Sequence, residues 1–191
     1  MNFQYIRRGD KMFDEFLIFF NEKTKIPNNG NELDLFLTFL GGKTFRNGLF
    51  NSFSKDQIEK WKEIVSEAFP SFLNKFNLFG YDWLGRCFGI DLRNNTRGNI
   101  LMFEIGTNDV LEIPCSFDNF LNKEIPIYSD ACLAESFFYE WINFSKLPVK
   151  RGRCIGYKIP LFLGGMDIIE NLEDSDMEVY WSLLTQIKKK V

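Results

Sequence analysis

Twenty-two phenylalanines in 191 residues set the first constraint on this chain. With 4 Trp and 6 Tyr they bring the aromatic share to 17 %, and so many large rings need an interior to enter. A chain this long buries roughly 70 % of the surface its unfolded form exposes, enough for one sizeable core. The aromatic excess therefore predicts packing rather than a stacking platform for bases. At about 150 residues per domain, the length fits one domain, or one with an appended lobe.

Charge narrows the partners. The formal net charge is −3, and Lys150-Arg151-Gly152-Arg153 and Lys188-Lys189-Lys190 are the only basic runs. Phosphate neutralisation by Lys and Arg drives nucleic-acid binding, so no nucleic-acid partner is expected, whereas a basic protein partner is compatible. The four cysteines, Cys87, Cys115, Cys132 and Cys154, form no C-x-x-C clip, and Met1 to Tyr5 lack the pattern of a secretory signal. No apolar run reaches the roughly 20 residues of a membrane span. We therefore expect a soluble cytoplasmic protein with free, mostly core thiols and no membrane partner.

Histidine is absent. That removes Ser-His-Asp and Cys-His nucleophile activation, His-containing zinc sites and the usual general base near neutral pH. There is also no dinucleotide or phosphate-loop glycine motif and no G-x-S-x-G elbow. Gly41-Gly42 and Gly164-Gly165 read as backbone turns. The expectation is a chain that is not an enzyme, with no catalytic residue, no cofactor and no metal; carboxylate chemistry with Mg²⁺ is the enzymatic alternative.

Periodicity predicts helices over Lys11–Lys23 (Phe13, Phe16, Leu17, Phe20), over Glu32–Leu40, and after a Ser54–Gln57 capping box (Ile58, Trp61, Ile64 or Val65, Ala68). Lys43–Phe53 reads as irregular or briefly extended, with a tight turn at Asn47-Gly48. Strands follow at Phe76–Trp83, Arg86–Leu92, Ile100–Ile105 and Val110–Ile113, joined by short turn-rich links that favour an antiparallel meander. Ser116 caps a short helix. Ser129 or Asp130 caps a longer one carrying Ala134, Phe137, Phe138, Trp141 and Ile142. Cys154–Leu163 is β-like, and a second capping box at Ser175–Glu178 opens a last helix presenting Tyr180, Leu183, Leu184, Ile187 and Val191. The order predicts an α+β fold, an antiparallel meander packed with helices from both ends of the chain. We divide it into a mainly helical lobe, 1–75, and an α+β domain, 76–191, forming one compact unit.

Two clusters invite a functional reading. Asp167, Glu170, Glu173, Asp174, Asp176 and Glu178 follow one another with no basic residue between. The plainer reading is a solvated start to the Tyr180 helix, where acidic groups are favoured; the functional one is an anionic surface for a cationic groove. In Asp82-Trp83-Leu84-Gly85-Arg86 a strand turns and resumes, with Arg86 placed to pair with Asp82 and Trp83 supplying packing area and a buried donor.

Three separated blocks carry a resemblance: Phe79-Gly80-Tyr81-Asp82-Trp83-Leu84-Gly85-Arg86, Ile159-Pro160-Leu161-Phe162-Leu163-Gly164-Gly165 and Asn171-Leu172-Glu173. Together they resemble the C-terminal domain family of type VI secretion immunity proteins, bacterial antitoxins paired with DNase effectors. Phe45–Phe50 and Trp61–Pro70 are similar to the segment preceding that domain, so the likeness runs from about Leu35 to the C-terminus. It implies a non-catalytic protein that binds a cognate toxin, with a nuclease as the type case, and blocks its active site. On that reading Asp167, Glu170, Glu173 and Asp174 face the toxin, with Asp109 and Glu112 as weaker candidates. Asp82, Trp83, Gly85, Arg86, Pro160, Gly164 and Gly165 hold the scaffold. A regulatory scaffold unrelated to any toxin is the alternative.

Overall fold

The computed structural model describes residues 12–191. The reading of Met1 to Tyr5, and the start of the first helix at Lys11, lie outside the described residues. Helix α1, Asp14–Phe19, is shorter than its periodicity predicts, because Phe13 and Asn21 both take positive φ and close it at either end. Phe13, Phe16, Leu17 and Phe20 are nonetheless all buried. Helix α2, Glu32–Phe39, starts where Asn31 accepts the Asp34 N–H, and it buries Phe36.

The segment read as irregular or briefly extended, with a tight turn at Asn47-Gly48, is a hairpin. Strands β1, Thr44–Phe45, and β2, Phe50–Ser52, pair across a turn in which Asn47 and Gly48 have φ of 57° and 99°. Gly48 is required there, since a Cβ would lie 2.3 Å from the Val149 carbonyl oxygen. Two- and three-residue strands are too short to show alternation, which is why the sequence reading began the meander at Phe76.

Helix α3, Ile58–Ala68, buries Trp61, Val65 and Ala68. Only half of its capping box forms: the Gln57 amide oxygen accepts the Ser54 N–H, and the Ser54 hydroxyl donates to that same oxygen instead of accepting. Strands β3, Phe76–Asp82, β4, Cys87–Asp91, β5, Ile100–Glu104, and β6, Asp109–Ile113, complete a six-stranded antiparallel sheet in chain order, β1 to β6. The α+β meander, packed with helices from both ends of the chain, is therefore the observed fold.

Both faces of the sheet are covered. Along β5, Ile100 and Met102 join one core while Leu101 and Phe103 join the other, the strand's two-residue period. A bulge at Leu78–Gly80 in β3 resets that phase, placing Phe79 in the first core and Tyr81 in the second. Gly80 faces Phe50 so closely that a Cβ would meet its ring at 2.5 Å. The phenylalanines fill these cores edge to face, as with Phe79–Phe117 at 4.8 Å between centroids.

Beyond the sheet, Ser116 caps α4, Phe117–Asn119, which widens through a π turn into α5, Ile125–Ile127. The single long helix expected next is two, α6, Ser129–Leu133, and α7, Glu135–Ser145, broken where Ala134 takes φ 51°. Asp130 does cap, but it caps α7: its carboxylate accepts the Ser136 N–H at 2.8 Å. Strands β7, Arg153–Tyr157, and β8, Leu172–Asp176, form a separate antiparallel hairpin, and α8, Met177–Lys188, follows directly.

The N-cap of α8 is Asp176, not Ser175; its carboxylate accepts the N–H groups of Glu178 and Val179. The buried face is Met177, Tyr180, Trp181, Leu184 and Thr185, while Leu183 and Val191 point to water, a correction of the expected stripe. Lys188 reaches across to α3, donating to the Ala68 carbonyl at 2.6 Å over the Phe69 ring. Cys87, Cys132 and Cys154 are buried and Cys115 is half-buried, all as free thiols. Burial pushes Cys115 up to about 11 and Cys132 up to about 12, so both stay protonated near neutrality.

Candidate protein-binding site

The turn from β3 to β4 ties the C-terminal elements to the sheet. Asp82, fully buried, accepts the N–H groups of Leu84 and Arg86 and the Arg86 Nε at 2.6 Å. Arg86 also donates to the Cys132 carbonyl and Trp83 Nε1 to that of Leu133, which docks the end of α6. The Ile155 N–H donates to the Trp83 carbonyl and Trp181 Nε1 to that of Gly85, which docks β7 and α8. Gly85 has φ 77° and lies so near Cys154 that a Cβ would sit 3.0 Å from its Cβ. None of these groups is offered to solvent.

The acidic residues occupy a different region. The run from Asp167 to Glu178 is not the solvated start of a helix: β8 takes up 172–176, and only Asp176 and Glu178 lie at the start of α8. Asp167 is exposed and accepts the Tyr157 hydroxyl at 2.8 Å; Asp174 is exposed and pairs with Arg153 at 2.6 Å. Glu178 pairs with Lys60. Glu170 and Glu173 are exposed without a charged partner among the described residues. Exposed pairs of this kind hold their partners weakly, worth about 0.2–1 kcal/mol, so Asp174 remains available to a competing cation.

Asp109 opens β6 beside this region. The turn joining β5 to β6 lies against Tyr157, and the Gly106 carbonyl accepts the Phe162 N–H. Half-buried Glu104 senses the arrangement: burial first, then the charges of Asp82, Asp167 and Asp109, raise its carboxyl above the ordinary 4.5 against the pull of Arg86. Glu112 turns elsewhere, engaged by Arg93 at 3.0 Å and Asn99 at 2.8 Å. The structure therefore brings Asp109 towards Asp167 and leaves Glu112 apart. Among the described residues no group of three or more His, Cys, Asp or Glu is placed to hold a metal.

Between β7 and β8 runs the loop 158–171, which holds Pro160, Gly164 and Gly165. Its clamp is Asn171, a residue the motif reading did not single out for any role. The buried Asn171 side chain accepts the Ile159 N–H at 3.0 Å and donates to the carbonyls of Ile159 and Met166 at 2.9 and 2.8 Å. The Pro160 carbonyl accepts the N–H groups of Leu163 and Gly165. A Cβ on Gly165 would lie 1.9 Å from the Ile159 oxygen, and Gly164 takes φ 86° in open space. A buried asparagine has no periodic signature; the block Asn171-Leu172-Glu173 marks the residue but not what its side chain does.

Among the described residues no helix is long and apolar enough to cross a membrane. No curated protein matches the chain. The crystal structure of Atu4351 from Agrobacterium tumefaciens is similar, with a TM-score of 0.59 and 18% identity over 92% of this chain and 89% of that one, a likeness of fold. Residues 117–188 match the family T6SS immunity protein Tdi1, C-terminal, so over that span the chain is similar to type VI secretion immunity proteins.

Proposed function

We propose that this chain is a cytoplasmic, non-catalytic immunity protein that binds a cognate toxin and neutralises it by covering the toxin's active site. The family match over residues 117–188 carries the reading. The carboxylates support its finer part. A nuclease offers a cationic substrate groove, and an acidic surface of Asp167, Glu170, Glu173 and Asp174, flanked by Asp109, is complementary to such a groove in place of phosphate. Glu112, already engaged by Arg93, has the weakest claim. Complementary charge speeds encounter more than it tightens the complex, so the acidic edge steers the toxin in.

The test is reversal of the four charges, Asp167→Lys, Glu170→Lys, Glu173→Lys and Asp174→Lys together, in cells that also produce the polypeptide encoded beside this chain's gene, tested as the toxin. Loss of protection, with association slowed by about 10-fold or more at low salt, is the expected result. Undiminished protection and affinity overturn the acidic-edge reading.

A further inference from the structure

The loop that Asn171 clamps leaves large apolar side chains in water. Ile159, Leu163, Met166 and Ile168 are 56, 43, 65 and 37 % exposed, all within ten residues. Leu161 and Ile169 of the same loop pack into one core and Phe162 into the other. The loop is therefore anchored, and its outward residues are not the by-product of a frayed segment.

Scattered apolar side chains on a surface need no explanation; four on one pinned loop do. Through Lys158 and Pro160 the start of the loop reaches a groove of about 280 Å³ between the β7–β8 hairpin and α8, which is also lined by the exposed Val179 and Leu183. The charges around this surface are mostly negative, although Arg153, paired with Asp174, and Lys158 also line the groove. From 158 to 178 there is one lysine, Lys158, against six carboxylates, and its Nζ is already bonded to the Glu170 carbonyl. An apolar centre with an anionic surround fits a protein partner that presents an apolar socket rimmed by Lys and Arg.

We propose that the loop 159–168 is the element that seats in the toxin: Ile159, Leu163 and Met166 enter an apolar socket, while Asp167 and Glu170 meet basic groups at its rim. This rests on the immunity reading and shifts its energetic centre from the carboxylates to the loop. Few residues carry most of an interface's energy, and they sit where water is excluded. A loop whose backbone is fixed before encounter loses little conformational freedom on binding, so its apolar contacts translate into affinity.

The experiment uses the full chain and the polypeptide encoded beside its gene, co-expressed and then measured by calorimetry. Ile159→Ser with Met166→Ser is expected to weaken binding about 30-fold or more, chiefly through faster dissociation. Asp167→Asn with Glu170→Gln is expected to cost less than about 10-fold, chiefly through slower association. Both pairs lie on the surface, so the melting temperature should stay near that of the parent. Hydrogen exchange gives an independent readout, with amides 159–168 protected further in the complex. Parent-like affinity of the folded Ile159/Met166 variant, or loss of binding only in a Phe144→Ser, Leu147→Ser control on another exposed apolar patch, overturns the loop proposal and leaves the immunity reading standing. Failure of the parent chain itself to bind that polypeptide overturns the immunity reading, and the loop proposal falls with it.

Discussion

Arg86 and Asp82 show how much one buried pair can carry. Asp82 has no exposure, and its carboxylate organises the turn through two backbone N–H groups as well as the guanidinium. Removing the cation strands a buried carboxylate, so Arg86→Met should destabilise the chain by about 3–5 kcal/mol in urea unfolding. Adding Asp82→Leu should recover part of that loss, because the two sites are coupled. Glu104 acts in the opposite sense. Its raised carboxyl means the folded chain holds this proton more tightly than the unfolded chain does. The group's contribution is then fully present below the unfolded value near 4.5 and is lost as pH rises through the folded one. Glu104→Gln removes that loss: it should match the parent near pH 4 and melt higher near pH 7, by no more than about 2–4 °C. A gap of constant size across that range counts against the assignment.

At the scale of elements, the junction of β8 and α8 separates pattern from geometry. The Ser-x-x-Glu pattern at Ser175–Glu178 is a legitimate capping signature, yet Asp176 caps: it is the last residue of β8, and its carboxylate accepts the first free N–H groups of α8. Asp176→Ala should therefore cost about 1 kcal/mol, whereas Ser175→Ala should stay within about 0.5 kcal/mol. The reverse order of the two would reinstate the box. The same limit explains the other local misses. Periodicity located α3 and the strands β3 to β6 closely, since each has a stretch of alternation or a helical stripe. It did not see the break at Ala134, where a residue with no turn signature takes φ 51°. It also placed Leu183 rather than Trp181 on the buried face of α8, because Leu fits an apolar stripe as well as Trp and only the position of Gly85 decides between them. Of the candidate site, the carboxylates were legible as a charge run. The Asn171 clamp and the outward turn of Ile159 and Met166 were not, since both depend on where the chain returns.

Across the whole molecule the question is what folds alone. The change of composition near residue 76 suggests a lobe followed by a domain, and the family match begins later still, at residue 117. The sheet takes no notice of either boundary. Strand β2 pairs with β3, with Phe50 opposite Asp82 and Ser52 opposite Gly80. Phe16, Phe36 and Phe50 fill one core alongside Phe79 and Phe88, and Phe53, Trp61 and Phe69 fill the other alongside Phe103 and Trp181. A fragment spanning 76–191 would lose part of the cover on both faces of the sheet and open the β3 edge to pairing with other chains. Deleting that many buried rings removes far more than the roughly 5–15 kcal/mol by which a domain is stable. We therefore expect the fragment to lack near-ultraviolet ellipticity and to aggregate, while the full chain unfolds in one transition seen alike by near- and far-ultraviolet circular dichroism. A monomeric fragment with native-like aromatic ellipticity would show instead that 76–191 is a domain in its own right, with the earlier elements laid against it.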